Sequence, residues 1–143
     1  GNRWLNPIGV GDLDGDAALE VAYIETPHIG GVLKIWSFVD DQLVFRASRG
    51  GYSNHDYGSR ALGLGLVMDV DLDGRDEILT PDQNRTTMVA LNFDGENVEE
   101  LWRMPLGARI DVDLTVVDFH RDGRPEIVIG LDDGRVAVLD FSR

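Results

Sequence analysis

The sequence predicts an all-β chain of about three β-propeller blades, each a four-stranded antiparallel sheet, with the ring left incomplete. Three observations carry this reading. An acidic ladder of the form D-x-(D/H)-x-D-(G/A)-x-x-E occurs three times, over 12–20, 69–77 and 118–126. The starts lie 57 (69 − 12) and 49 (118 − 69) residues apart, the period of one repeated structural unit. Short apolar runs rich in β-branched and aromatic residues flank each ladder, and Gly, Asp, Asn and Pro turns separate them. Finally, the inner runs Val21 to Ile24 and Ile127 to Ile129 are apolar on both faces. A sheet with one wet face alternates. These strands therefore need one sheet above and another below, which radially stacked blades supply.

The elements follow in chain order. In the first unit, Pro7 to Val10 leads into the ladder and Leu19 to Ile24 leaves it. Gly31 to Phe38 comes after a turn-rich stretch, and Asp40-Asp41 turns the chain into Gln42 to Ala47. The second unit repeats this order with Leu64 to Met68, Glu77 to Thr80, Thr86 to Phe93 and Val98 to Met104. Val98, Leu101 and Trp102 also fit helical spacing, but their place matches Gln42 to Ala47, so a strand is expected. The third unit offers Leu114 to Val117, Ile127 to Gly130 and Arg135 to Phe141, one strand short. The whole chain, 1–143, reads as one repeat domain with units at about 1–50, 51–106 and 107–143.

Composition narrows the function classes. Net charge is −13, from 26 acidic against 13 basic residues, and eleven of the acids stand at ladder positions one, three, five and nine. With no basic patch to displace counterions, nucleic acid is excluded as a partner, and no apolar run approaches a membrane span. Cysteine is absent, which removes disulfides and thiol chemistry. No G-x-S-x-G, Gly-rich phosphate loop or Cys/His pair is present, so the reading is non-enzymatic. The start at Gly1 has no signal-peptide pattern, consistent with a leader already removed.

Carboxylates at alternate positions beside a glycine suit a hard cation with oxygen ligands. Taken with their following strands, the ladders at 11–22, 68–79 and 117–130 resemble the FG-GAP or VCBS-type repeats of integrin α-chain propellers and many secreted bacterial proteins. The resemblance covers most of the chain. It implies that each ladder joins the two inner strands of a blade and that the cation is Ca²⁺. It further implies a secreted, extracellular, cell-surface or periplasmic protein working in cell adhesion, recognition or assembly. Family members carry six to eight blades, against three here.

Ligands are then expected from positions one, three and five, the carbonyl at seven and the acid at nine. In the first loop these are Asp12, Asp14, Asp16, Ala18 and Glu20, and in the second Asp69, Asp71, Asp73, Arg75 and Glu77. The third offers Asp118, Asp122, Arg124 and Glu126, with His120 putting an imidazole where oxygen is wanted. Ala17 stands where the family favours glycine; a left-handed alanine costs about 1 kcal/mol. The competing reading makes these acids Asx-type turn caps without metal, against which stands the repulsion of four carboxylates in nine residues. An EF-hand is excluded, since its twelfth position needs an acid and here holds Tyr23, Thr80 or Ile129.

The loops at Thr26 to Gly31, Tyr52 to Arg60 and Pro81 to Arg85 read as solvated turns. Their alternative role is a sugar-contacting surface in a lectin or a calcium-dependent polysaccharide lyase. A zinc site from His28, His55 and His120 lacks motif spacing, and Trp4, Trp36 and Trp102 are expected to pack between blades. Three blades leave the ring open, so Val21, Tyr23, Val128, Val136 and Val138 are expected on uncovered sheet faces. A protein partner, copies of the chain itself as a homo-oligomer, or the rest of a longer propeller would cover them.

Overall fold

A computed structural model describes residues 3–141. The described chain is all β, with eleven strands in three antiparallel sheets and no helix. Strands β1 (Leu5–Gly11), β2 (Glu20–Glu25), β3 (Val32–Val39) and β4 (Gln42–Gly50) form the first sheet in sequence order. The second holds β5 (Leu66–Met68), β6 (Glu77–Pro81), β7 (Thr87–Phe93) and β8 (Val98–Pro105), again in order. In the third, β9 (Thr115–Val117), β10 (Glu126–Gly130) and β11 (Val136–Asp140) make a three-stranded meander. No sheet closes with another into a ring.

Local chemistry sets the turns and the register. Asp40 and Asp41 both take positive φ, 48° and 61°, as a two-residue hairpin requires for its twist to match the strands; Val39 then pairs with Gln42. At the corresponding turn of the second sheet, the Asp94 carboxylate accepts the N–H groups of Glu96 and Asn97 at 2.9 and 2.6 Å. Each outer strand carries one extra residue at the same place. Arg46 is unpaired between the Ile35–Ala47 and Trp36–Phe45 pairs, and Leu101 between Ala90–Trp102 and Leu91–Glu100. Val98 to Pro105 is thus a strand, as its place in the repeat predicts.

Two apolar cores hold the three sheets in a stack. Ala22, Ile24, Leu33 and Ile35 meet Ile78, Val89, Leu91 and Phe93 between the first and second sheets. Leu79, Met88 and Ala90 meet Ile127, Ile129 and Leu139 between the second and third. The second sheet is therefore covered on both faces, and β6 is buried along its whole length. The outward face of the first sheet presents Val10, Trp36, Phe38, Leu43 and Phe45, with Trp36 Nε1 donating to Tyr23 Oη at 3.1 Å. On the outward face of the third, Val136 is 67% and Val138 50% exposed. Val21, Tyr23 and Val128 are half-buried.

Candidate metal-binding loops

All three ladders connect the first two strands of a sheet and fold alike. Position one accepts two loop amides, one on each carboxylate oxygen: Gly15 and Ala17 on Asp12, Asp73 and Gly74 on Asp69, Asp122 and Gly123 on Asp118. Position five accepts the N–H of position seven, at 2.7 Å for Asp16–Ala18, 2.9 Å for Asp73–Arg75 and 3.0 Å for Asp122–Arg124. The closing glutamate reaches back to the N–H of position two: Leu13 to Glu20 at 3.0 Å, Val70 to Glu77 at 2.9 Å, Phe119 to Glu126 at 2.8 Å. Such a wrapped loop needs left-handed backbone at two points. Position six is Ala17 (φ 69°), Gly74 and Gly123; position four is Gly15, Leu72 (φ 62°) and Arg121 (φ 56°). The second requirement was not legible in the sequence, because two of its three residues carry side chains that disfavour it.

In the first two loops the acids converge. Asp12, Asp14 and Glu20 each offer an oxygen within 4.8 Å of the others, and so do Asp69, Asp71 and Glu77. These are positions one, three and nine of the expected set. Asp16 and Asp73 stand outside these groups, and Asp73 is held instead by the Arg75 guanidinium at 2.9 Å. The oxygen-only donor sets fit a hard divalent cation such as Ca²⁺. In the third loop Glu126 Oε1 is engaged by His120 Nδ1, and among the described residues no three-ligand group forms there. That contact holds the His120 imidazole above its ordinary pKa.

Burial charges these loops electrostatically. Glu77 is 1% exposed, and desolvation, with Asp71, Asp73 and Asp69 nearby, pushes its pKa from 4.5 up to about 7. Desolvation also raises Glu20 and Asp14, the former against hydrogen bonds from Leu13 and Ser37. A cation in the loop relieves this cost directly. The two loops also touch. Asp76 Oδ2 accepts Asp12 N–H at 3.0 Å while Asp76 N–H donates to Asp12 O at 2.9 Å, a clamp for which the third ladder has Pro125 instead.

A second polar cluster gathers loops that read as solvated turns, and that reading is corrected. Ser53, Asn54 and His55 are buried, and so is Arg85, which donates to Ser53 Oγ at 2.8 Å and pairs with Asp56 at 2.9 Å. The chain between β4 and β5 runs among the neighbouring loops, where Asn6 Nδ2 donates to Asn54 O and Asn54 Nδ2 to Asn6 O, both at 3.1 Å, while Asn54 Oδ1 is buried without a hydrogen-bond partner. Here His28 and His55 meet, while His120 lies in the third ladder. Trp4 stacks on His55 with ring centres 5.0 Å apart, so it does not join the cores between sheets. Of the other tryptophans, Trp102 packs against the second core and Trp36 lies on the outward face of the first sheet. No family model matches the chain, and no curated protein matches it.

Proposed function

We propose that this chain is a calcium-stabilised, non-enzymatic repeat module of the β-propeller type, working outside the cytoplasm in recognition, adhesion or assembly. One observation carries the reading. At position two of the three ladders stand Leu13, Val70 and Phe119, which are 1%, 4% and 58% exposed. The first is covered by the second sheet and the next by the third. Phe119 occupies the same place with no sheet beyond it, and Val136 and Val138 share its exposure. A further blade, from the rest of a longer propeller, from a partner or from another copy, supplies the missing cover. Bound Ca²⁺ stiffens the first two loops and takes no part in chemistry. Light scattering at rising concentration tests this: assemblies well above the 15.8 kDa of one chain are expected, and a strict monomer with calcium-independent melting refutes it.

A second reading is favoured by the convergence of the loops at 26–31 and 52–60 around Trp4 and Tyr57, whose side chain is 87% exposed. Aromatic faces beside polar groups suit a carbohydrate, in a lectin or a calcium-dependent polysaccharide lyase. A glycan array with the wild type and Tyr57→Ala, run beside a lyase assay, separates the two. Turnover that disappears with His55→Ala would replace the adhesion reading.

A further inference from the structure

We infer that Asn84, at the tip of the turn joining β6 to β7, is the acceptor of an N-linked glycan, on the reading above that the chain works outside the cytoplasm. Of the six asparagines, Asn84 alone has a hydroxyl residue two places on, in Asn84-Arg85-Thr86. That triplet, with any residue but proline in the middle, is what oligosaccharide transferases read. Asp82 stands two places before Asn84, so the run from Asp82 to Thr86 also meets the longer, acid-led form read by bacterial transferases.

The fold puts this one asparagine where a glycan can stand. Gln83 and Asn84 are exposed, whereas Arg85 beside them is buried. The turn is held without Asn84. Asp82 Oδ1 accepts the N–H groups of Thr86 and Thr87 at 3.0 and 3.1 Å, and Arg85, with φ 58°, is fastened to Ser53 and Asp56. Among the described residues no hydrogen bond engages the Asn84 amide, so a sugar on Nδ2 breaks none. The ladder joins β5 to β6, so the β6–β7 turn lies at the other end of its strands from the acids. Its sheet is already covered on both faces, which leaves the outward faces of the first and third sheets open for assembly. In the closed turn the Asp82 carboxylate is engaged and Thr86 is half-buried, its carbonyl accepting Leu106 N–H at 2.9 Å. Transfer therefore precedes closure of the turn, during export. Asn84 Nδ2 bonds to the anomeric carbon of an oligosaccharide carried on a polyprenyl diphosphate. The bond from that carbon to the diphosphate oxygen breaks, the diphosphate leaves with the electron pair, and one amide proton passes to solvent.

The test is export of the whole chain, behind a cleavable leader, into the periplasm of a host supplying a bacterial oligosaccharide transferase and its lipid-linked oligosaccharide. Intact-mass spectrometry should find one glycan added to the 15.8 kDa chain, and fragment spectra should place it on Asn84. Asn84→Gln, Thr86→Ala and Asp82→Ala should each lose the added mass, and Thr86→Ser should keep it. Protein isolated from its own source should carry the same modified peptide. A wild type exported without added mass, a glycan that survives Thr86→Ala, or a bare Asn84 in the native protein overturns the inference. Calcium-dependent melting of the bare chain is unaffected by any of these results, so the proposed function fails or stands separately.

Discussion

Replacing Glu77 by glutamine separates the cost of its buried charge from its use as a ligand. With its pKa raised from 4.5 to about 7, the folded protein holds a proton there that the unfolded chain has already released. Stability linked to this group is therefore complete below about pH 4.5 and is lost as pH rises through about 7. A difference of about 2.5 pH units at 1.36 kcal/mol each gives a loss of about 3 kcal/mol at most. In chelator at pH 8, Glu77→Gln should be the more stable protein by about 2–3 kcal/mol, or several degrees in melting midpoint for a domain of this size. Near pH 5 the two proteins should melt together, because the wild-type side chain is then protonated and resembles the amide. Calcium should reverse the order at pH 8: the wild type gains at both loops with ligand concentration, whereas the variant, short of one carboxylate in the second loop, gains through the first loop alone. Differential scanning calorimetry across pH 5–8, with chelator and with millimolar calcium, reads all four arms. A chelated wild type whose midpoint is flat across this range, or a variant that responds to calcium as strongly as the wild type, refutes the reasoning.

Other outcomes are as definite. Asp71→Ala should shrink the calcium-dependent rise in melting midpoint, since it removes one of three convergent ligands of the second loop. His120→Asp frees Glu126 from the imidazole and restores an oxygen at position three, so calorimetric titration should show an additional calcium equivalent. Ala17→Gly relieves a left-handed alanine and should raise stability in urea unfolding by about 1 kcal/mol, whereas Gly74→Ala should lower it by a similar amount. Phe119→Ser and Val138→Lys should weaken self-association in light scattering without lowering the melting midpoint of the single chain, because both side chains face solvent within it.

Strand order was legible because each apolar run is bounded by turn chemistry that acts locally, as at Asp40-Asp41 and Asp94-Gly95. The repeat also decided the one ambiguous stretch, β8. Side chains whose surroundings come from distant segments were not legible. Leu13 and Val70 look like spacers between acids, yet they are core residues, because each loop lies over the seam between two sheets. Ser53, Asn54 and Arg85 carry the composition of a wet turn, and only the passage of their segment among its neighbours buries them. Asp76 fills an unspecified position of the second ladder and reads as surface charge, although it joins two ladders. The acids at positions one, three and nine were visible from spacing alone. The pairing of Asp73 with Arg75 was not, since nothing in the spacing says which carboxylate a neighbouring guanidinium will take.

The graded exposure of Leu13, Val70 and Phe119 gives the molecule a polarity. Each sheet turns its closing glutamate and its position-two side chain toward the sheet that follows, never toward the one before. The two uncovered faces are consequently unlike: one carries Phe119 and the valines of β10 and β11, the other the aromatic surface of β3 and β4. Contact between unlike faces is heterologous, and a heterologous contact has no twofold axis to end it. In the proposed self-assembly, growth stops only when rotation from copy to copy sums to a full turn, so the per-sheet rotation decides between a ring of fixed number and an open fibre. A copy with a disabled β11 face would then act as a chain terminator at that face when mixed with the wild type.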